Sequence, residues 1–217
     1  MDPSAARFRD LSLDAFVDVL ASAAPTPGGG AASAVTAALG AGLVAMVASL
    51  SRDRPKYAAF ADHHAAAAAA GRELSDRLLA LADEDAAAYD AFGIAMKMPR
   101  ATDEEKVARS AALRSAARLA ADVPLRILAA CREVLVASEA LAGRSNLKAA
   151  SDLAVASRLA EAAAHGAAAN VRVNLPITDD EAFAEEMEGR VGRLLCEVGE
   201  LAETTRAFVE LGELREP

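Results

Sequence analysis

Three groups of residues in this chain have types and spacings that suit chemistry. The run Pro25-Thr26-Pro27-Gly28-Gly29-Gly30 ends where an uncharged helical segment begins. Bare N–H groups at a helix N-terminus favour a carboxylate or a phosphate. The same run also serves as a flexible connector between two helices. Asp85 fills the place of a core residue in the helical stripe Leu78, Leu81, Asp85, Tyr89, Phe92. A carboxylate there must be paired, protonated or exposed in a pocket; the bland reading is a solvated edge position like Asp83 and Glu84. Asp152 and Asn170 lie 18 residues apart, five full turns, so they share one helical face, with Asn174 one turn further on. Their axial separation is about 27 Å, too far for one small ligand to touch both within one subunit, although a symmetric dimer could bring them together. Helix capping by Ser151-Asp152 and by Asn170 and Asn174 is the competing account.

Other chemistries find little support. His63-His64 and the Glu161/His165 pair lack the further ligands a metal needs, and no metal or cofactor is expected. The nucleophile elbow, the dinucleotide fingerprint and the phosphate-binding Walker loop are all missing. Cys131 falls on an apolar helical stripe and reads as a buried thiol. With Cys196 it forms neither a disulfide framework nor a metal pair, which suits a reducing cytoplasm.

The elements that must position these residues are all helical. Hydrophobic residues make up 53% of the 217-residue chain but aromatics only 4%. Alanine, the strongest helix former, supplies most of that apolar content. Six helices are expected, over residues 12–24, 31–51, 56–97, 103–142, 147–175 and 179–211. Pro25, Pro55, Pro99, Gly143 and Pro176 mark the turns between them, and Pro124 should kink or restart the fourth. Small residues recur every fourth position in the second helix (Ala32, Thr36, Gly40; Ala34, Ala38, Gly42), letting neighbouring backbones approach closely. Residues 28–51 carry no charge and are long enough to span a bilayer. Their Ala, Gly, Ser and Thr content reads instead as a central helix buried on all sides by protein. The expected fold is a single all-α domain, a bundle of long helices closely packed as a homodimer. A net charge of −9 argues against nucleic acid as a partner, and the charged N-terminal residues Asp2, Arg7, Arg9 and Asp10 do not read as a signal peptide. A soluble, cytoplasmic protein is expected, with no membrane partner.

The ordered set of motifs resembles the cyclodeaminase/cyclohydrolase family of folate enzymes. That family includes the C-terminal domain of formimidoyltransferase-cyclodeaminase and the stand-alone bacterial methenyltetrahydrofolate cyclohydrolases. The matching stretches are residues 16–22 with the Gly-rich run, residues 40–50, Asp85-Ala-Ala-Ala-Tyr-Asp, and Met98-Pro99 followed by Thr102-Asp-Glu-Glu-Lys. Val123-Pro-Leu, Asn146, Ser151-Asp152 and Asn170-Val-Arg-Val-Asn174-Leu continue the series. Two places depart from the pattern. Leu50-Ser-Arg-Asp-Arg-Pro-Lys-Tyr57 stands where relatives often read Leu-Thr-x-Gly-Lys-Lys-Lys-Tyr, and Ala31 follows the third glycine in place of Ser.

The resemblance implies a homodimer acting on tetrahydrofolate derivatives. It makes Pro27, Gly28, Gly29, Gly30, Asn146, Ser151, Asn170 and Asn174 candidates for substrate binding. Arg52, Arg54 and Lys56 would meet the glutamate carboxylates of the folate, and Asp152, then Asp85, would act as the acid/base group. A chain without a transferase domain beside it is expected to hydrolyse 5,10-methenyltetrahydrofolate to 10-formyltetrahydrofolate. Ammonia release from formimidoyltetrahydrofolate is the alternative, and a non-catalytic folate- or partner-binding dimer is the rival from another class.

Overall fold

The computed structural model describes residues 7–216. Six helices follow one another: α1 Leu13–Leu20, α2 Gly29–Ser51, α3 Ala61–Met96, α4 Asp103–Leu141, α5 Ala150–Asn174 and α6 Glu181–Leu211. The described residues include no strand, and the all-α expectation holds.

The four long helices α2 to α5 close a ring. α2 packs against α3 and α5, and α4 closes the ring on the other side. Facing residues give the directions. Gly30 meets Asp85 while Gly71 meets Ala41 and Ala45, so α2 and α3 are antiparallel. Gly29 meets Asn170 while Gly40 meets Ala156, so α2 and α5 are antiparallel too. α6 lies outside, in the groove between α4 and α5, tied by Arg132–Glu197, Arg172–Glu188 and Arg206–Glu161.

What sets the ring's tightness is missing side chains. A Cβ on Gly71 would stand 2.7 Å from Ala41 O and 2.9 Å from Ala45 N. One on Gly40 would stand 3.0 Å from Ala156 O. The backbone of α2 is therefore clasped from both sides, with Ala31, Ala34, Ala37, Ala41, Val44 and Val47 wholly buried. The clasp leaves one face of α2 uncovered. Leu39 is 57% exposed and Met46 and Leu50 about 40%, while a Cβ on Gly42 would meet nothing within 4 Å.

Helix ends differ from the expected ones for local reasons. α1 stops at Leu20 rather than near Ala24, because the Ser22 hydroxyl bonds back to Val19 O and accepts from Ala24 N. Of its apolar face only Phe16 is buried, edge-on to Phe8. Pro55–Phe60 is a 3-10 turn, so α3 begins at Ala61 and runs about 54 Å. A capping box between Thr102 and Glu105 starts α4. Asp180 caps α6 through Phe183 N and pairs with Arg118, and Gly212, at positive φ, ends it.

Pro124 neither breaks nor restarts α4, which runs on through it. Proline removes the N–H that would have bonded the carbonyl one turn back, at Ala120. That carbonyl instead accepts from the Asn174 amide on α5, at 3.0 Å. The defect is repaired from a neighbouring helix.

Gly71→Ala should overpack the α2–α3 contact and lower stability by about 1–3 kcal/mol. Gly192→Ala, on exposed α6 backbone where a Cβ meets nothing, should raise it by roughly 0.5–1 kcal/mol. Denaturant midpoints of the two variants moving in opposite directions would check the clasp; a neutral Gly71→Ala would count against it.

Candidate functional site

At the N-terminal end of α2 the ring opens into a cleft of about 340 Å³. Its floor is built from Gly28, Gly29 and Gly30 of the Gly-rich turn, Asp85 of α3, and Asn170 and Asn174 of α5. Three separate parts of the chain, more than 50 residues apart in sequence, meet here.

Asp85 sits against the first turn of α2, where the backbone N–H groups have no helical partners. Gly28 has no side chain to cap them, so the carboxylate reaches across from α3. Gly30 permits this, because a Cβ at that position would fall inside the Asp85 carboxylate. Burial raises the Asp85 carboxyl above the usual aspartate range, and a backbone hydrogen bond from Ala31 only partly opposes it. A half-buried carboxyl that holds its proton more tightly than usual, in a cleft, suits acid–base work.

The two asparagines are held by their amide nitrogens. Asn170 Nδ2 donates to Gly166 O at 2.9 Å, and Asn174 Nδ2 donates to Ala120 O and to Asn170 O at 2.8 Å. Among the described residues, neither amide oxygen accepts a hydrogen bond, so both remain available to a ligand's N–H groups. The walls are apolar. Tyr89 and Phe92 follow Asp85 by one and two turns of α3, and Val173 and Ile177 face the cleft from α5 and the turn after it. Tyr89 is 49% exposed and Val173 is 66% exposed, which is unusual for side chains with so much apolar area. Flat apolar walls above a polar floor suit a planar heterocycle with hydrogen-bonding edges.

The sequence-derived candidates thus divide. Gly28, Gly29, Gly30, Asp85, Asn170 and Asn174 converge on this cleft, while Pro27 is buried beneath the turn, behind a cis peptide bond from Thr26. Tyr89 and Phe92, expected in the core stripe with Leu78 and Leu81, line the cleft instead. Their positions at i+4 and i+7 from Asp85 were the available signal for this.

The other candidates lie at the far end of α2 and α5. Arg52 and Arg54 line a separate hollow of about 280 Å³ beside Tyr57, with Lys56 over the Tyr57 ring at 5.7 Å. Asn146 is buried beside it, donating from its backbone N–H to Ser51 Oγ at 2.8 Å and capping Lys148 N through its side chain. Those bonds give it a structural task. Ser151 is exposed, and Asp152 is partly exposed on the first turn of α5, away from the cleft. Of the histidines, buried His64 holds Arg144 O through Nε2 at 2.8 Å and His63 packs on Phe60. Glu161 is engaged by Arg206. Burial pushes the Cys131 thiol up to about 12, as befits an inert core cysteine.

Asn174→Ala should cost about 1 kcal/mol by stranding the Ala120 carbonyl, but far less in a Pro124→Ala background, where residue 124 regains its N–H. Equal costs in both backgrounds, measured as a double-mutant cycle, would refute the repair.

Comparison with known proteins bears on what the cleft does. Residues 12–193 match the family model described as formiminotransferase-cyclodeaminase. A methenyltetrahydrofolate cyclohydrolase from Methylorubrum extorquens is 41% identical over 192 residues, 88% of this chain and 92% of the relative. The formimidoyltransferase-cyclodeaminase of Rattus norvegicus is 35% identical over 94% of this chain, which spans 37% of that longer protein. A crystal structure of formiminotetrahydrofolate cyclodeaminase from Thermotoga maritima superposes with a TM-score of 0.85 at 28% identity. That match covers 93% of this chain and 97% of the other.

Proposed function

The chain belongs to the formiminotransferase-cyclodeaminase family, and on that premise we propose the following reading of its cleft. It is an enzyme of folate one-carbon chemistry, hydrolysing 5,10-methenyltetrahydrofolate to 10-formyltetrahydrofolate. The observation that carries this reading is the Asp85 carboxyl, raised by burial, on the floor of a slot with aromatic and aliphatic walls.

The pterin ring lies between Tyr89 and Phe92 on one side and Val173 and Ile177 on the other. Its N–H edge meets the free amide oxygens of Asn170 and Asn174. The methenyl carbon, cationic between N5 and N10, then faces Asp85. Water adds to that carbon as Asp85 takes its proton, giving a tetrahedral carbinol. The bond from carbon to N5 breaks as Asp85 returns the proton to N5. The carbinol hydroxyl loses its own proton to solvent and becomes the formyl carbonyl on N10. One water is consumed and one proton released. A carboxylate also stabilises the cationic ground state, so Asp85 must favour addition more than it favours the substrate.

Ammonia release from formimidoyltetrahydrofolate is the second reading, supported by the Thermotoga maritima match. There N10 attacks the formimidoyl carbon and ammonia leaves on accepting a proton, a step that Asp85 serves in its protonated form. The working unit in either reading is a homodimer closed over the uncovered face of α2. The free cysteines, Cys196 exposed and Cys131 buried, support a cytoplasmic setting.

Purified protein should accelerate decay of the methenyltetrahydrofolate chromophore, and Asp85→Asn should reduce kcat roughly 10²–10⁴-fold. Because the carboxyl is raised, the acid limb of kcat/KM should lie above the ordinary aspartate value of about 3.9. A raised carboxyl contributes stability below its unfolded-state pKa and loses it as pH rises through the folded one, so Asp85→Asn should raise Tm at neutral pH. Decay at the buffer rate would turn the assignment to ammonia release; failure of both assays would overturn folate catalysis.

A further inference from the structure

Asn170 and Asp85 reach the cleft across two consecutive residues of α2. The Asn170 amide lies over bare Gly29, where a Cβ would stand 3.2 Å from Nδ2, and the Asp85 carboxylate lies over bare Gly30. Neighbouring Cα atoms are fixed about 3.8 Å apart, so the first turn of α2 spaces an amide of α5 from a carboxyl of α3. That spacing holds only while α5 keeps its height along α2.

Two residues that do not line the cleft set this height, Ser33 of α2 and Gly166 of α5. Gly166 is the single glycine of α5 and lies in its interior, where alanine would support the helix better. The room it leaves is taken by a buried hydroxyl, because a Cβ on Gly166 would fall on Ser33 Oγ. The hydroxyl is pinned there by donating to Gly29 O at 2.7 Å. Asn170 Nδ2 in turn donates to Gly166 O at 2.9 Å. The four residues close a circuit. On each helix a polar side chain bonds back one turn to a glycine carbonyl, and that glycine faces the polar side chain of the other helix.

We infer that Ser33 and Gly166 are positioning residues, whose interlock fixes α5 against α2 and thereby the separation of the Asn170 amide oxygen from Asp85. This rests on the reading of the cleft as a folate site, in which that oxygen holds the ring while Asp85 works on the one-carbon unit. A displacement of α5 carries Asn170 with it and leaves Asp85 behind, because Asp85 belongs to α3. The one-carbon unit then moves off the carboxyl, although every residue lining the cleft is still present.

Gly166→Ala should drive α5 off the Ser33 hydroxyl and lower kcat/KM roughly 10–100-fold. Adding Ser33→Ala to the same chain should return the activity. The Cβ at 166 then meets the remaining Cβ at 33 at 3.6 Å, an ordinary van der Waals contact. In an Asn170→Ala background, Gly166→Ala should cost no further activity, while it lowers Tm in both backgrounds. A role confined to stability would cut activity equally with and without Asn170. Geometry is read without substrate from the Asn170 side-chain amide, identified in heteronuclear spectra by its loss in Asn170→Ala. Its resonances should move in Gly166→Ala and return in the double variant. Wild-type kcat/KM in Gly166→Ala, no recovery in the double variant, or equal losses in the two backgrounds overturns the positioning role. If Gly166→Ala alone does not fold, a folded and active double variant supports the interlock and an inactive one overturns it. A wild-type chain inert toward both folates overturns the folate reading. The Asn170 resonances then decide the interlock, which stands if they move and return and falls if they stay.

Discussion

Everything in this structure depends on how close the backbone of α2 lies to its neighbours. Where α3 and α5 cross it, the contacts are carbonyl and amide groups against bare Cα atoms, at Gly71 and Gly40. An ordinary leucine core would hold these helices 8–10 Å apart. The thin α2 brings the start of its own first turn within reach of a carboxylate on α3, and Asp85 needs the missing side chain at Gly30 to arrive there. Tight packing and the placement of the Asp85 carboxyl are one constraint seen at two points.

The cleft also borrows from the helices that surround it. Asn174 closes the hydrogen-bond gap left by Pro124, so a residue of the cleft floor is fixed by a backbone defect on a third helix. That bond and the one from Asn170 to Gly166 turn both amide nitrogens into the protein and the oxygens outward. Asp85, by contrast, is held by burial against its own ionisation. The site therefore sets rigid amides beside a carboxyl of raised proton affinity, the arrangement proton transfer at a bound ring requires.

Much of this was legible in the residues. Alanine content and proline placement gave six helices, and the interruption of an apolar stripe by Asp85 pointed to the group that the cleft contains. Some of it was not. Helix periodicity assigned Tyr89 and Phe92 to the core, because it reports which residues share a face and not whether a neighbour covers it. Asn174 read as a cap or a ligand contact, since its partner carbonyl lies 54 residues away. Pro124 read as a kink or a restart, and the restart did not occur for the same reason: a local rule has no view of a donor supplied from another helix. Asn146 carried a family signal for the folate site, yet its backbone and side chain are engaged with Ser51 and Lys148.

A core built so largely of alanine also shapes how the protein answers to temperature. Each alanine hides little apolar surface, and the helical backbone it supports exposes polar amides on unfolding. Both lower the heat-capacity increment, toward or below the low end of roughly 12–15 cal/mol/K per residue. The free-energy dome of such a protein is broad and shallow, so its stability changes slowly between cold and warmth. The same alanine-lined packing that brings Asp85 to its place thereby also flattens the dependence of stability on temperature.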